Sequence, residues 1–452
     1  MLIINMSSSA SSITKREKVE VLPLNPPGNN TYSFKRGNPI VNFQIASQDK
    51  LLLGSTLRLN GTIQVQTSAG VLVNNNDNKG GGATEVRINE RVGVHSCLNQ
   101  ITFSNANNQT IEQVRQYGRY LATVLPLTHS APDFNTNLQM KSLNSNKNIL
   151  TGNLINNNAQ FSMPIMTGFL NAGMPIPLGL NGVNGINLQF ELAPDNFVLS
   201  GGNASDGTGA EYLLKDLSIT YDLLVPDAKG VAAMASGGSG MMAYNSIQHL
   251  YSVINSSENT QSFNIGTANT LGIFHNFIPT TEINNYASDS LSTNPLQNSA
   301  GGGAFSAAQL QEVDFIKAGV KYPLNYTIDN RTGAENNTPS TQVERNLINS
   351  VKPFNKSNHI LMGNTTNLSK PDAIFFKLNQ DVGGHRQTDQ DSAFGVGIAF
   401  DNLSKQGVNY KNSNYAVRLK STLDGLSPNA MYSYVISKNT LMWSPQGLQV
   451  VS

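Results

Sequence analysis

Apolar side chains in this chain fall again and again at every second position. Ile186, Leu188, Phe190 and Leu192 alternate with Asn187, Gln189 and Glu191, and Leu217, Ile219, Tyr221, Leu223 and Val225 repeat the spacing. So do Val41, Phe43 and Ile45, and Leu57, Leu59, Ile63 and Val65. The second half carries the same pattern in Val320 to Ile328, Ile374 to Leu378, Val396 to Phe400, Tyr415 to Leu419 and Tyr432 to Ile436. Successive strand side chains point to opposite faces, so each run is a strand with one face to bury. A sheet with one apolar face has to cover it with another sheet, which predicts sandwiches or barrels. Pro194 and Pro226 end two of these strands, because proline cannot donate to a ladder.

Composition points the same way. Only 13% of residues are charged, against roughly 25% in ordinary soluble domains. Their place is taken by Asn, Ser, Thr, Gln and Gly, which favour turns over helix interiors. Three long connections follow at Asn74 to Gly82, Ser200 to Gly209 and Ser288 to Ala304. One helix is predicted in each half. Thr110-Ile111-Glu112-Gln113 reads as a capping box before Ile111, Val114, Tyr117, Leu121 and Val124 at helical spacing. Thr341-Gln342-Val343-Glu344 does the same before Leu347 and Val351, with Pro353 as the stop.

A chain of 452 residues is longer than one core usually grows, so two domains are expected. Residues 1–30 read as a mobile arm, 31–226 as a first sandwich, 227–243 as a flexible Ala/Gly/Ser/Met linker and 244–452 as a second sandwich. Thr341 lies 231 positions after Thr110, and the same offset carries the Ile186 strand to the neighbourhood of Val417. A divergent tandem duplication fits that offset.

The chemistry-bearing residues are sparse. Thirty Lys and Arg balance 29 Asp and Glu, and the formal charge of +1 gives no bulk drive toward nucleic acid or an anionic membrane. Cys97 is the single cysteine, so no intrachain disulfide framework or cysteine zinc cluster is available, and it reads as a structural thiol. No apolar run approaches the ~20 residues that span a bilayer, and the apolar start Met1 to Ile4 is too short for a signal-peptide core. The triplets at Asn60, Asn203, Asn325 and Asn364 are what an Asn/Ser/Thr-rich chain produces by chance. The chain has no phosphate loop, zinc helix or nucleophile elbow. Its six histidines (His95, His129, His249, His275, His359, His385) never pair at a spacing that puts two imidazoles on one face. Asp381, His385, Asp389 and Asp391 form the densest acidic group, without the spacing of a calcium loop, and read as a solvated loop. Gly237-Gly238-Ser239-Gly240 lacks the lysine of a phosphate cradle and reads as linker. Trp443 reads as an anchor for the second sandwich. The expectation is therefore no catalytic residue, no cofactor and no metal site.

Three segments carry a family resemblance. Pro175-Ile176-Pro177-Leu178-Gly179-Leu180 leads into Ile186 to Ala193, Leu217 to Pro226 closes the first half, and Phe394 to Trp443 includes Asn414 to Leu419 and Met431 to Tyr434. In pattern and order these segments resemble the double jelly-roll major capsid proteins of polinton-like viruses, virophages and related double-stranded DNA viruses. The resemblance covers most of the chain and implies an all-β fold of two tandem eight-stranded jelly-roll sandwiches. It further implies a homotrimer with a pseudo-hexagonal outline that tiles an icosahedral shell, with neighbouring capsomers and penton or minor capsid proteins as partners and the virion as location. Lys15, Arg16 and Lys18 in the arm are candidates for nonspecific contact with packaged DNA. Two other classes share the composition: a trimeric receptor- or glycan-binding spike, and a two-sandwich polysaccharide hydrolase needing two placed carboxylates.

Overall fold

The computed structural model describes residues 13–24, 26–47, 49–66, 70, 86–88, 92–128, 159–179, 185–201, 209–235, 240–256, 258–286, 290–291, 310–323, 327–329, 395–400, 406–421, 428–444 and 447–452. The first half contains β1 (Ile13–Val21), β2 (Thr31–Tyr32), β3 (Ile40–Ile45), β4 (Leu51–Gln66), β5 (Val86–Ile88), β6 (Leu98–Asn105) and β7 (Thr110–Arg115). After helix α1 (Tyr117–Thr128) come β8 (Ala159–Pro164), β9 (Ile176–Pro177), β10 (Ile186–Leu192), β11 (Leu199–Gly201) and β12 (Glu211–Pro226). Helix α2 (Ala228–Ala235) leads to the second half. There follow β13 (Gly240–Ile254), β14 (Glu258–Phe263), β15 (Thr270–Pro279), β16 (Leu310–Lys317), β17 (Val320–Lys321), β18 (Thr327–Asp329), β19 (Gly395–Ala399), β20 (Tyr415–Ser421), β21 (Asn429–Ser444) and β22 (Gly447–Val451).

The strand order is that of a jelly roll, twice. One sheet runs β1-β12-β4-β8 and its partner β3-β10-β6-β7. With the short β2, β5, β9 and β11 set aside, the eight main strands therefore stand in the orders 1-8-3-6 and 2-7-4-5. The second half repeats both orders as β13-β21-β15-β19 and β14-β20-β16-β17, with β18 extending the β17 edge along β16. Two interleaved Greek keys of this kind define the jelly roll. The fold is all-β: two tandem eight-stranded sandwiches.

The two halves correspond strand for strand in this order. β10 and β20 occupy the same place in their sandwiches, as the 231-residue offset from Ile186 to Val417 requires. Inside the first sandwich Val41, Phe43, Ile101, Phe103, Leu59, Phe190 and Ile219 are buried together. A second core gathers Ile273, Phe277, Val313, Phe315, Val417 and Val435. It also holds one polar bridge. His275 of β15 is fully buried, its Nδ1 2.7 Å from Ser433 Oγ and its Nε2 2.6 Å from the Tyr415 hydroxyl on the opposite sheet.

The structure corrects several expectations. Thr110 to Arg115 is a strand and not a helix start; Gln116 adopts a left-handed φ of 53° and α1 begins only at Tyr117. The capping-box glutamate, Glu112, is buried and bonds to another segment, so tertiary contacts override the local helix signal. Residues 13–21, expected within a mobile arm, form β1 and pair along β12 from Ile13↔Pro226 to Val21↔Ile219. Two partly buried side chains on one face, Val19 and Val21, pack on the core and fix that strand. The expected flexible linker holds α2, and β13 already begins at Gly240. The run from Val320 to Ile328 is divided between β17 and β18. The second capping box at Thr341, the Ile374 run and most of the three long connections lie outside the described residues.

Candidate functional site

The most heavily buried polar and charged side chains of the described residues include several where the two sandwiches meet, Glu112 and Arg119 among them. Helix α1 follows the edge strand β7, and every residue from Tyr117 to Val124 is buried, including Arg119. A helix hidden on all sides needs apolar or bonded neighbours all round, and the second sandwich supplies several of them. The Tyr434 hydroxyl donates to the Gln116 carbonyl at 3.2 Å, the Tyr120 and Tyr434 rings lie 5.7 Å apart, and Thr123 Oγ1 donates to Asn276 Oδ1 at 3.1 Å. Arg119 is fully buried; its guanidinium lies 4.1 Å from the Tyr432 ring centre and 5.3 Å from that of Phe197, and it donates to the Ser290 carbonyl. A desolvated guanidinium over aromatic faces is worth ~2 kcal/mol.

These contacts make the outer face of the β13-β21-β15 sheet a second core surface. On β21, Met431 and Val435 pack into the second sandwich, while Ala430, Tyr432 and Tyr434 pack with the first. β15 divides in the same way, with Ile273 and Phe277 on one side and Phe274 and Ile278 on the other. The first core cluster therefore runs unbroken from one sandwich into the other.

Glu112 fastens the seam. It is 4% exposed and accepts the Phe169 N–H at 2.9 Å. Burial pushes its carboxyl up to about 7, against the opposing pull of the N–H groups of Phe169, Gly168 and Ile247 and the Thr167 hydroxyl. Ile247 belongs to β13, so one carboxyl addresses both sandwiches. Beside it, the Tyr244 hydroxyl donates to the Ile111 carbonyl at 2.7 Å. A groove of about 380 Å³ opens between β7 and β13, lined by Thr110, Gln113, Arg115, Gln248, His249 and Asn439 among others.

The residues singled out from sequence are placed as follows. Lys15 pairs with Glu17 at 2.9 Å and Arg16 with Asp222, while Lys18 is an exposed residue of β1 opposite Asp222. Cys97 is fully buried, and burial pushes its thiol far up, which suits a structural role. Trp443 packs over Gly240, where an added Cβ would stand 2.5 Å from its Cζ2. Asp381, His385, Asp389 and Asp391 lie outside the described residues. Among the described residues, no three His, Cys, Asp or Glu side chains are gathered so as to hold a metal ion, and no helix is long and apolar enough to cross a membrane. Sequence reasoning missed Glu112, Arg119 and Gly168 as seam residues. A carboxylate and a guanidinium set among apolar neighbours in so weakly charged a chain were the available signal.

No protein-family model and no curated protein sequence matches the chain. Solved structures do. The Faustovirus major capsid protein superposes with a TM-score of 0.58 at 9% identity, over 95% of this chain and 90% of that one. The PBCV-1 virus capsid gives 0.57 at 14%, over 97% and 96%. The Sputnik virophage structure gives 0.54 at 10%, over 97% and 88%. The chain has the double jelly-roll fold of viral major capsid proteins. At these identities the likeness is one of fold, and it covers nearly the whole chain. The double jelly roll thus agrees with the strand order found in each half.

Proposed function

We propose that this chain is a major capsid protein that assembles as trimers of pseudo-hexagonal outline, and that these tile an icosahedral shell around double-stranded DNA. The observation that carries the reading is the welded pair: two sandwiches of one strand order share a continuous buried core, which makes each chain a single block with two similar modules. Three such blocks present six modules, the number a hexagonal tile needs. The fold shared with the Faustovirus and PBCV-1 capsid structures along nearly the whole chain supports the same reading. In it the protein resides in the virion, its partners are neighbouring capsomers and the proteins that close the vertices, and it turns over no substrate. The spike and hydrolase readings have no comparable support.

The DNA-facing role of Lys15, Arg16 and Lys18 is a narrower proposal. Lys15 and Arg16 already face Glu17 and Asp222, so any phosphate contact from β1 competes with these pairs and is lost as salt rises. Multi-angle light scattering on the purified full chain tests the assembly reading. A species of three times 48.7 kDa is expected, and a monomer that persists at micromolar concentration contradicts it.

A further inference from the structure

The groove between β7 and β13 is lined entirely by described residues of one chain. It forms where two sheet edges meet. Within the described sheets β7 ends the order β3-β10-β6-β7 and β13 begins the order β13-β21-β15-β19. The Tyr244 hydroxyl spans the two edges at the Ile111 carbonyl, and the groove of about 380 Å³ opens beside that bond.

Its walls are polar and nearly uncharged. Gln113, Gln248, Asn439, Ser246 and Ser437 present amides and hydroxyls, groups that both donate and accept. An apolar ligand would strip water from them and leave them unpaired, whereas sugar hydroxyls donate and accept in the same way. These side chains are already held in place. Arg115 Nε donates to Gln113 Oε1 at 3.1 Å, the Ser246 and Ser437 hydroxyls lie 3.0 Å apart, and Ser437 Oγ donates to Asn439 Oδ1 at 3.3 Å. Such ordering lowers the entropy that a ligand must overcome. His249 adds a polar atom in need of a partner: its Nε2 is buried and makes no hydrogen bond to any described residue.

Charge narrows the ligand further. Arg115 is exposed, and a guanidinium matches a carboxylate in bidentate geometry. Glu112, the other charged residue of the lining, is buried; it accepts the Phe169 N–H, and burial favours its neutral form. A volume near the lower end of the ~300–1,000 Å³ of ligand pockets suits one ring and not a chain.

We infer that this groove binds a single acidic sugar of the hexuronic acid class, its hydroxyls on the amide and hydroxyl walls and its carboxylate on Arg115. The walls come from both sandwiches, so an occupant ties β7 to β13 and stabilises the folded chain as it saturates the site. The site lies within one chain and is present whether or not chains associate.

Saturation-transfer NMR on the full chain in mildly acidic buffer is the test, with sodium D-glucuronate as the probe and D-glucose and sodium acetate as its two halves. Glucuronate is expected to receive saturation from the wild type, to bind at least about tenfold more tightly than either half, and to raise the unfolding temperature as its concentration grows. Arg115→Gln removes the charge at an exposed position and should weaken glucuronate by about tenfold, to the level of glucose. Gln248→Trp fills the groove and should abolish binding of both sugars with circular dichroism unchanged. Arg115→Gln carries the test alone should Gln248→Trp fail to fold. No transfer to glucuronate, binding that Arg115→Gln leaves unchanged, or either half bound as tightly as the whole overturns the proposal.

Discussion

The backbone of Gly168 lies against the carbonyl of Asn245, so close that a side-chain carbon on Gly168 would occupy the space of that oxygen. One residue belongs to the first sandwich and the other to β13, so the approach of the two halves depends on a missing methyl group. Gly168→Ala is expected to cost about 3 kcal/mol, since backbone must move on both sides. Urea unfolding measures it; a loss below about 0.5 kcal/mol would mean that the halves are not locked at this point.

Removing one atom from the seam should also be felt. Tyr434→Phe deletes one of two donors to the half-buried Gln116 carbonyl, which keeps the Tyr120 N–H at 2.9 Å. A loss of about 1 kcal/mol, the net worth of one hydrogen bond, follows. Tyr251→Phe, on an exposed ring, is the comparison and should change nothing measurable.

Acid and base act on the fold through different groups. Burial holds His275 down to about 3 and His249 down to about 4, below the ordinary histidine range near 6.5. Their contribution is complete above pH ~6.5 and disappears as pH falls toward those values, because the unfolded chain then binds more protons. Glu112 has the opposite sign. Its carboxyl is raised from 4.5 to about 7, so its contribution is complete below pH ~4.5 and lost as pH rises through 7. The wild type should therefore lose stability between pH 6.5 and 7.5, by a share of the order of 3 kcal/mol that 2.5 pH units represent. Glu112→Gln should be flat over that interval in chemical unfolding at each pH, and an unchanged slope in the variant would exclude Glu112 as its source.

Cys97 offers a probe of cooperative opening. It is fully buried beneath the first sandwich, with its thiol pushed far above the ordinary range. An aromatic disulfide reagent should leave it untouched in native buffer and react with one thiol per chain in denaturant. Rapid native labelling would show that the first core opens locally.

Much of this architecture is legible as alternation, and the strands that escaped notice are those where alternation fails for a physical reason. β3 is exposed and buried by turns, as one solvated face requires. β15 is buried at all ten positions from Thr270 to Pro279, because its two faces serve two different cores, so no period of two is left to read. β13 changes partner along its length, with Met242 and Tyr244 in the first core and Ile254 in the second, which blurs its pattern. β1 looks like a basic tail because Lys15, Arg16 and Lys18 are all exposed, Lys15 beyond the reach of the core on the face of Val19 and Val21 and the other two on the opposite face, and only its pairing with β12 shows it to be a strand. Thr110 to Gln113 has the residues of a helix cap and becomes an edge strand because Glu112 is taken up by the distant Phe169 N–H, with Ile247 of β13 beside it, instead of by its own first turn.

Electron microscopy of particles formed by the purified chain, or present in cells that make it, tests the whole account most directly. The account predicts closed shells whose surface units have a six-cornered outline built from three chains, each contributing two upright sandwiches. Isolated trimeric spikes, open fibres or chains that never associate would contradict it.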